Sequence, residues 1–221
     1  METKAFKGTS KDICGHDDFQ FAVGETYEIP AEKTIVPCQY GFHACKNLID
    51  CFKFYENENS NRYFEVTIFG DYITQDSKIC SRKIRIDKEV NLKEVLNGKF
   101  TDYVNTEYYY HKGVIHRDND LPAAITSDGT QYWYKDGEWH RDGDLPAAIT
   151  SDGTQYWWKN GKYHRDNDLP AIIRPDETQE WWKNGKYHRD GDMPAVIDSD
   201  GTQEWYKDGK RHRDGDLPAV I

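Results

Sequence analysis

The feature that most constrains this chain is a short motif that returns every 24 residues. HRDND begins at His116, HRDGD at His140, HRDND at His164, HRDGD at His188 and HRDGD at His212. The register holds between the copies, as TSDGTQYWYKDGEW from Thr126, TSDGTQYWWKNGKY from Thr150, RPDETQEWWKNGKY from Arg174 and DSDGTQEWYKDGKR from Asp198. A divergent leading unit, TEYYYHKGVI, begins at Thr106 in the same phase. A fixed period of this length predicts stacked units, each burying its apolar face only against its neighbours. The array therefore runs over residues 106–221, after a non-repetitive region at 1–98 and a polar connector at 99–105.

Each unit reads as β. Asp136-Gly137, Asn160-Gly161, Asn184-Gly185 and Asp208-Gly209 follow the aromatic segment, and such dipeptides suit type I′ hairpin turns, where both central residues need positive φ. A second turn precedes it at Asp128-Gly129, Asp152-Gly153 and Asp200-Gly201. The third unit has Asp176-Glu177 there, which predicts a different or strained turn. Pro after each HRDxD-Leu/Met fits a strand start, since it cannot donate to a ladder. With strands about 4.8 Å apart, each hairpin advances the sheet by roughly 10 Å, giving an elongated antiparallel sheet about 40–50 Å long.

Trp133, Trp157, Trp181 and Trp205 form one column, and Tyr134, Trp158, Trp182 and Tyr206 the next. Neighbours along a strand point to opposite faces. Both faces therefore carry large aromatics, one packing the repeat core and the other forming a second packing layer or an exposed platform. All eight are candidate partner-binding residues, because interfaces favour Trp, Tyr and Arg.

The pattern W-Y/W-K-N/D-G-x-x-H-R-D-x-D-L-P-A resembles the MORN repeat, and more closely a MORN-like variant of phage, giant-virus and bacterial proteins. Here Arg follows His where the MORN pattern has Gly. The resemblance covers about half of the chain. It implies β-hairpin repeats forming a curved sheet with a scaffolding or binding role, and it does not imply catalysis.

The region before the array predicts a small α+β domain. Its expected strands are KAFKG, FQFAVGETYEI, RYFEVTIFG and SRKIRIDKEV, and its expected helices CKNLIDCFKFYEN from Cys45 and NLKEVLNG, with Asn91 as N-cap and Glu94 three residues on. KAFKGTSKD, DDFQFAVGETYE, GFHACKNLIDCFKFY and RYFEVTIFGD, in that order, resemble a phage-associated domain of unknown function, which hints at a mobile-element origin. The KGTS turn, the Tyr40–Tyr55 block and the Tyr63–Asp71 strand also resemble the block order of ADP-ribosyltransferases. That likeness implies NAD binding around Gly8, Thr9 and Gly41, although no His precedes Gly8 and no catalytic Glu can be placed.

His-Arg-Asp also opens the protein-kinase catalytic loop. Five periodic copies, with no DFG and no Gly-rich phosphate loop, remove that reading. Asp-x-Asp could ligate calcium. An Arg travels with every such pair, however, and a bidentate Arg–Asp ladder neutralises the column without metal. The repeat histidines, beside Asp, are expected to be structural. In the head, Cys38, His43, Cys45 and Cys51, with Cys14 and His16 upstream, are residue types that bind zinc, but their spacing is not a knuckle.

The net charge of −10 argues against a general nucleic-acid binder, which needs excess Lys and Arg to displace counterions. No apolar run reaches the length of a membrane span and no secretory signal is visible, so five cysteines read as reduced thiols in the cytoplasm. These residues predict an α+β head followed by an all-β array of MORN-like hairpins. The expected activity is non-catalytic protein binding, with no cofactor or metal, directed at a bacterial host factor such as a defence component, with nucleic-acid mimicry as one mode; the alternative is an ADP-ribosyltransferase-like, NAD-using head with the repeats as its targeting module. The edge strand at the end of the array is the expected site of homodimer or partner pairing.

Overall fold

The computed structural model describes residues 2–9, 21–37, 40–55 and 61–221. Two compact units result. One contains the chain to Val95 with Phe100–Val104, the other Leu96–Lys99 with Asn105–Ile221. The segment expected as a connector is thus shared between them.

The first unit is built on strands β1 (Glu2–Thr9), β2 (Thr26–Glu28), β3 (Phe42–Cys45), β4 (Arg62–Gln75) and β5 (Lys78–Glu89). β4 pairs with β1 from Glu2↔Phe69 to Thr9↔Arg62 and with β5 from Phe64↔Glu89 to Gln75↔Lys78. The other edge of β5 holds β3 and β2, and β3 meets β1 at Phe6↔Cys45. The path β5–β4–β1–β3–β5 closes on itself, so each of those strands has a neighbour on both sides over part of its length. Register shifts at Glu65/Val66 and Phe69/Tyr72 bend the long hairpin, and Gly70, at φ 73°, supplies the backbone freedom for the second. Alternating residues turn inward: Ala5, Ala44, Phe64, Val66, Ile68, Ile79, Ile84 and Ile86 form the core.

Helix is scarce among the described residues of this unit. α1 spans only Leu48–Cys51 and α2 only Leu92–Val95. The helix expected from Cys45 starts later because Cys45 is the last residue of β3, paired with Lys78. Leu48 and Ile49 are buried, as the amphipathic pattern requires. At α2, Asn91 Oδ1 accepts from the Lys93 amide at 3.2 Å, and Asn91 Nδ2 donates to Glu94 Oε1 at 2.8 Å. No helix of the described residues is long and apolar enough to cross a membrane.

The second unit is all β, antiparallel and repetitive. Two-residue strands alternate along one long sheet: Ala124–Ile125, Gln131–Tyr132, Ala148–Ile149, Gln155–Tyr156, Ile172–Ile173, Gln179–Glu180, Val196–Ile197 and Gln203–Glu204, each beside the next. The strand Glu107–His111 precedes them in the same sheet. The expectation of one strand running through the aromatic segment needs correction. The ladder breaks at each Trp, and the next two residues enter a separate hairpin, such as Trp158–Lys159 with Lys162–Tyr163. The Trp backbone makes this transfer. Trp157 donates its N–H to Ala171 O in the long sheet at 2.8 Å, while its C=O accepts from His164 N at 3.1 Å at the end of its own hairpin.

Both turns of the unit follow the local chemistry. Asp136/Gly137, Asn160/Gly161, Asn184/Gly185 and Asp208/Gly209 all have positive φ at both positions, as type I′ demands. In the other turn, Asp128 Oδ1 accepts from the Thr130 amide at 3.0 Å and from the Thr126 hydroxyl. The third unit keeps this geometry by forcing Glu177 to φ 71° in place of glycine.

Candidate functional site

The recurring HRDxD motif is a joint between repeats. Its last two residues have positive φ in every copy, for example Asn119 at 62° with Asp120 at 55° and Gly143 at 77° with Asp144 at 56°. This explains the alternation of Asn and Gly at that position, a signal available in the sequence. Arg141 binds both Asp120 oxygens of the preceding copy, at 2.6 and 2.7 Å, and Arg165 binds Asp144 at 2.9 and 3.0 Å. Arg189 repeats the pairing with Asp168. The Arg–Asp ladder expected from the shared period is therefore formed. The Arg141 hydrogen bond holds Asp120 below the ordinary carboxylate range.

The other Asp of each motif has different partners. Asp142, Asp166 and Asp190 each take a lysine, at 2.9, 2.8 and 3.0 Å, and the Nε2 of their own histidine at 2.9 Å. Asp166 is thereby lowered to about 2, with the Lys159 hydrogen bond as the largest cause. These carboxylates act as ion-pair partners. Among the described residues no group of three or more His, Cys, Asp or Glu is placed to hold a metal.

The two aromatic columns have different fates. Trp133, Trp157, Trp181 and Trp205 are 4–6% exposed. Each indole N–H donates to the C=O of the Asp ending the preceding motif, at 2.9–3.0 Å. Each ring is covered by the Arg of the following motif at 3.8–3.9 Å, a desolvated cation–π pair. These four, expected among the partner-binding residues, have their rings in the core and their indole N–H groups already engaged.

Tyr134, Trp158, Trp182 and Tyr206 lie in one continuous run of ring contacts. From Trp139 it passes to Trp158 at 4.5 Å, Tyr163 at 4.6 Å, Trp182 at 5.1 Å, Tyr187 at 3.8 Å and Tyr206 at 4.9 Å. Tyr134 joins it against Trp139 at 6.1 Å. Trp158 is 7% exposed, whereas the rest of the run is half-buried. The rings stack on one another, so they offer edges, hydroxyls and indole rims to a partner more than free faces.

The chemistry of this run changes along the array. Tyr132 and Tyr156 are replaced by Glu180 and Glu204 in the last two units. Glu180 is 4% exposed, pairs with Arg174, and accepts from Trp182 Nε1 at 3.0 Å and the Tyr187 hydroxyl at 2.8 Å. Glu204 accepts from the Tyr206 hydroxyl at 2.7 Å and from Arg211 at 2.9 Å. Burial, reinforced by Glu180, pushes the Tyr187 phenol well above its ordinary range. Sequence reasoning missed this acid–aromatic cluster. Its signal was the Tyr-to-Glu change at one fixed repeat position.

Of the residues singled out by sequence in the first unit, Gly8, Thr9, His43, Cys45 and Cys80 lie on strands of the closed sheet, Gly41 just before β3 and Cys51 on α1. Gly8 and Thr9 belong to β1. Thr9 is buried, and a Cβ at Gly8 would meet the Tyr55 ring at 2.7 Å. A Cβ at Gly41, which has φ 145°, would likewise collide with Cys80 Sγ. Cys45, Cys51 and Cys80 are buried free thiols, and a hydrogen bond with Cys45 together with burial raises the Cys51 thiol. His43 pairs with Cys80 across β3 and β5. Cys14, His16 and Cys38 lie outside the described residues.

Residues 3–98 match a family model described as a domain of unknown function, DUF7666. The match lies before the repeat array. No curated protein and no solved structure matches the chain.

Proposed function

We propose that the chain is a non-catalytic protein-binding module, encoded by a phage or prophage, in which a small α+β head carries an all-β MORN-like array. Its partner is a bacterial host factor in the cytoplasm, such as a defence component. The observation that carries this reading is the half-buried aromatic run from Tyr134 to Tyr206, which ends in the carboxylate–arginine pairs of Glu180 and Glu204. Stacked rings give a partner rigid apolar area at little entropic cost, and the polar edges set orientation. The excess of acidic residues favours a basic partner surface, including one that otherwise holds nucleic acid.

Capture from a bacterial lysate tests this, with the wild type compared with Trp182→Ala and Tyr206→Ala variants shown to be folded by circular dichroism. The reading expects one enriched protein that both variants lose. Identical capture by all three would end it.

A further inference from the structure

The hairpin tips carry a repulsion that folding does not need. Lys159↔Lys162, Lys183↔Lys186 and Lys207↔Lys210 are direct cross-strand partners, so each pair lies on one face of its hairpin. Like charges directly opposed destabilise a strand pair. The first hairpin shows the arrangement that avoids this, with Lys135↔Glu138. Asp166 and Asp190 neutralise Lys159 and Lys183, at 2.8 and 3.0 Å. Lys162, Lys186 and Lys210 are exposed and have no ion-pair partner among the described residues. Their stems follow one another along the array: a Cβ at Gly185 would meet Lys162 Cβ at 3.8 Å, and one at Gly209 would meet Lys186 Cβ at 3.6 Å. A line of unpaired cations therefore runs down three successive tips. The aromatic run lies on the other face of the same hairpins, where Trp158↔Tyr163 and Trp182↔Tyr187 are the partners.

A matching line of anions lies a whole unit's reach away. From the acidic turn the chain runs through Gln155–Tyr156, the buried Trp157 and Trp158–Lys159 to the tip, so turn and tip stand at opposite ends of this stretch. Asp128, Asp152, Asp176 and Asp200 occupy the turns, exposed and without an ion pair among the described residues. Each accepts from the amide two residues on, at 2.9–3.0 Å, which holds the carboxylates in fixed places.

We propose that these two lines dock on each other in neighbouring copies of the chain, Lys162–Lys186–Lys210 of one copy against Asp128–Asp152–Asp176–Asp200 of the next. One repeat builds both lines, so a second copy presents its carboxylates at the interval of the lysines. A single exposed ion pair contributes little, but pairs fixed along two arrays form together, each after the first being intramolecular. The contact is heterologous. A copy that gives its turn edge keeps its own lysine line open, so assembly continues without closing. The aromatic face stays free, and the contact does not depend on the host-factor reading above.

Sedimentation velocity of the full chain reads this out. In about 0.02 M salt the weight-average mass should pass twice the monomer value as concentration rises, with no plateau at a dimer, and in about 0.5 M salt it should return to the monomer. Two variants use groups that suit the array. Lys162→Glu with Lys186→Glu and Lys210→Glu copies the Lys135↔Glu138 pair. Asp128→Asn, Asp152→Asn, Asp176→Asn and Asp200→Asn together keep an oxygen for each turn amide. Each variant alone should stay monomeric in low salt. Mixed, they should form a one-to-one complex and stop there, because each supplies the line the other lacks. A wild type that stays monomeric in low salt or stops at a dimer overturns the proposal. So does association that survives in the lysine variant, or a mixture that stays monomeric. A monomeric wild type that binds heparin, with binding lost in the lysine variant, would assign the line to a polyanion instead.

Discussion

Trp181 carries three jobs at once: its ring is 5% exposed, its indole N–H reaches Asp168 O at 2.9 Å, and Arg189 lies over it at 3.8 Å. Trp181→Ala is expected to cost about 3–5 kcal/mol in urea unfolding, as buried aromatics do. Trp181→Phe keeps most of the area but loses the indole N–H, and should cost less. Glu177 is the opposite case, a side chain held at φ 71° where the other units have glycine. Glu177→Gly should raise stability by about 1 kcal/mol, since the strain relieved exceeds the added chain entropy. The aspartates also make acid a stress. Asp128, held by the Thr126 hydroxyl and the Thr130 amide, and Asp166, held by Lys159 and His164, sit at about 2 in place of the ordinary 3.8. Lowered values stabilise the fold above the ordinary value, and that stability is lost as pH falls toward about 2. A thermal midpoint that stays flat through this interval would contradict the assignment.

At the scale of elements, the hairpin turns and the Arg–Asp ladder were legible because each depends on residues at fixed short spacing. Asp-Gly and Asn-Gly encode positive φ directly, and Arg141 with Asp120 shares one period with Arg165 and Asp144. The break at Trp157 was not legible. An alternating pattern runs unbroken through Tyr156, Trp157 and Trp158, and only the competing hydrogen bonds to Ala171 and His164 divide it. For the same reason, local pattern could not tell which aromatic column would be buried. The barrel of the head was hidden more deeply, since its closure rests on pairings such as Phe6↔Cys45 between distant segments. Glu180 supplies a test at this scale. Glu180→Gln leaves Arg174 without its anion and removes a carboxylate from the Tyr187 hydroxyl. The Tyr187 phenol, raised first by burial and then by Glu180, should then ionise at lower pH, seen as earlier phenolate absorbance on alkaline titration.

Across the array, the indole N–H and the turn glycine join successive units at all four joints, as in Gly185 N to Tyr163 O at 2.9 Å, and a hydrogen-bonded Arg–Asp pair and a histidine bond each recur at three of them. Stability should then behave as a sum over units and their interfaces. Removing residues 157–180, which joins Tyr156 to Trp181 in register, should leave a folded protein with a lower unfolding midpoint. Collapse of the whole array into an unfolded chain would show that the units are not interchangeable.

The side-chain bonds between units span 13 to 23 residues, such as Trp181 to Asp168 and Ser151 to Asp128, whereas Lys4 reaches Asp87 across 83. During synthesis, the head must wait for most of its length to leave the ribosome before its barrel can close. Each repeat can dock within about one unit's length of emerging, onto a finished template. The array is thus built to fold in the order in which it is made, its newest edge always the only one waiting.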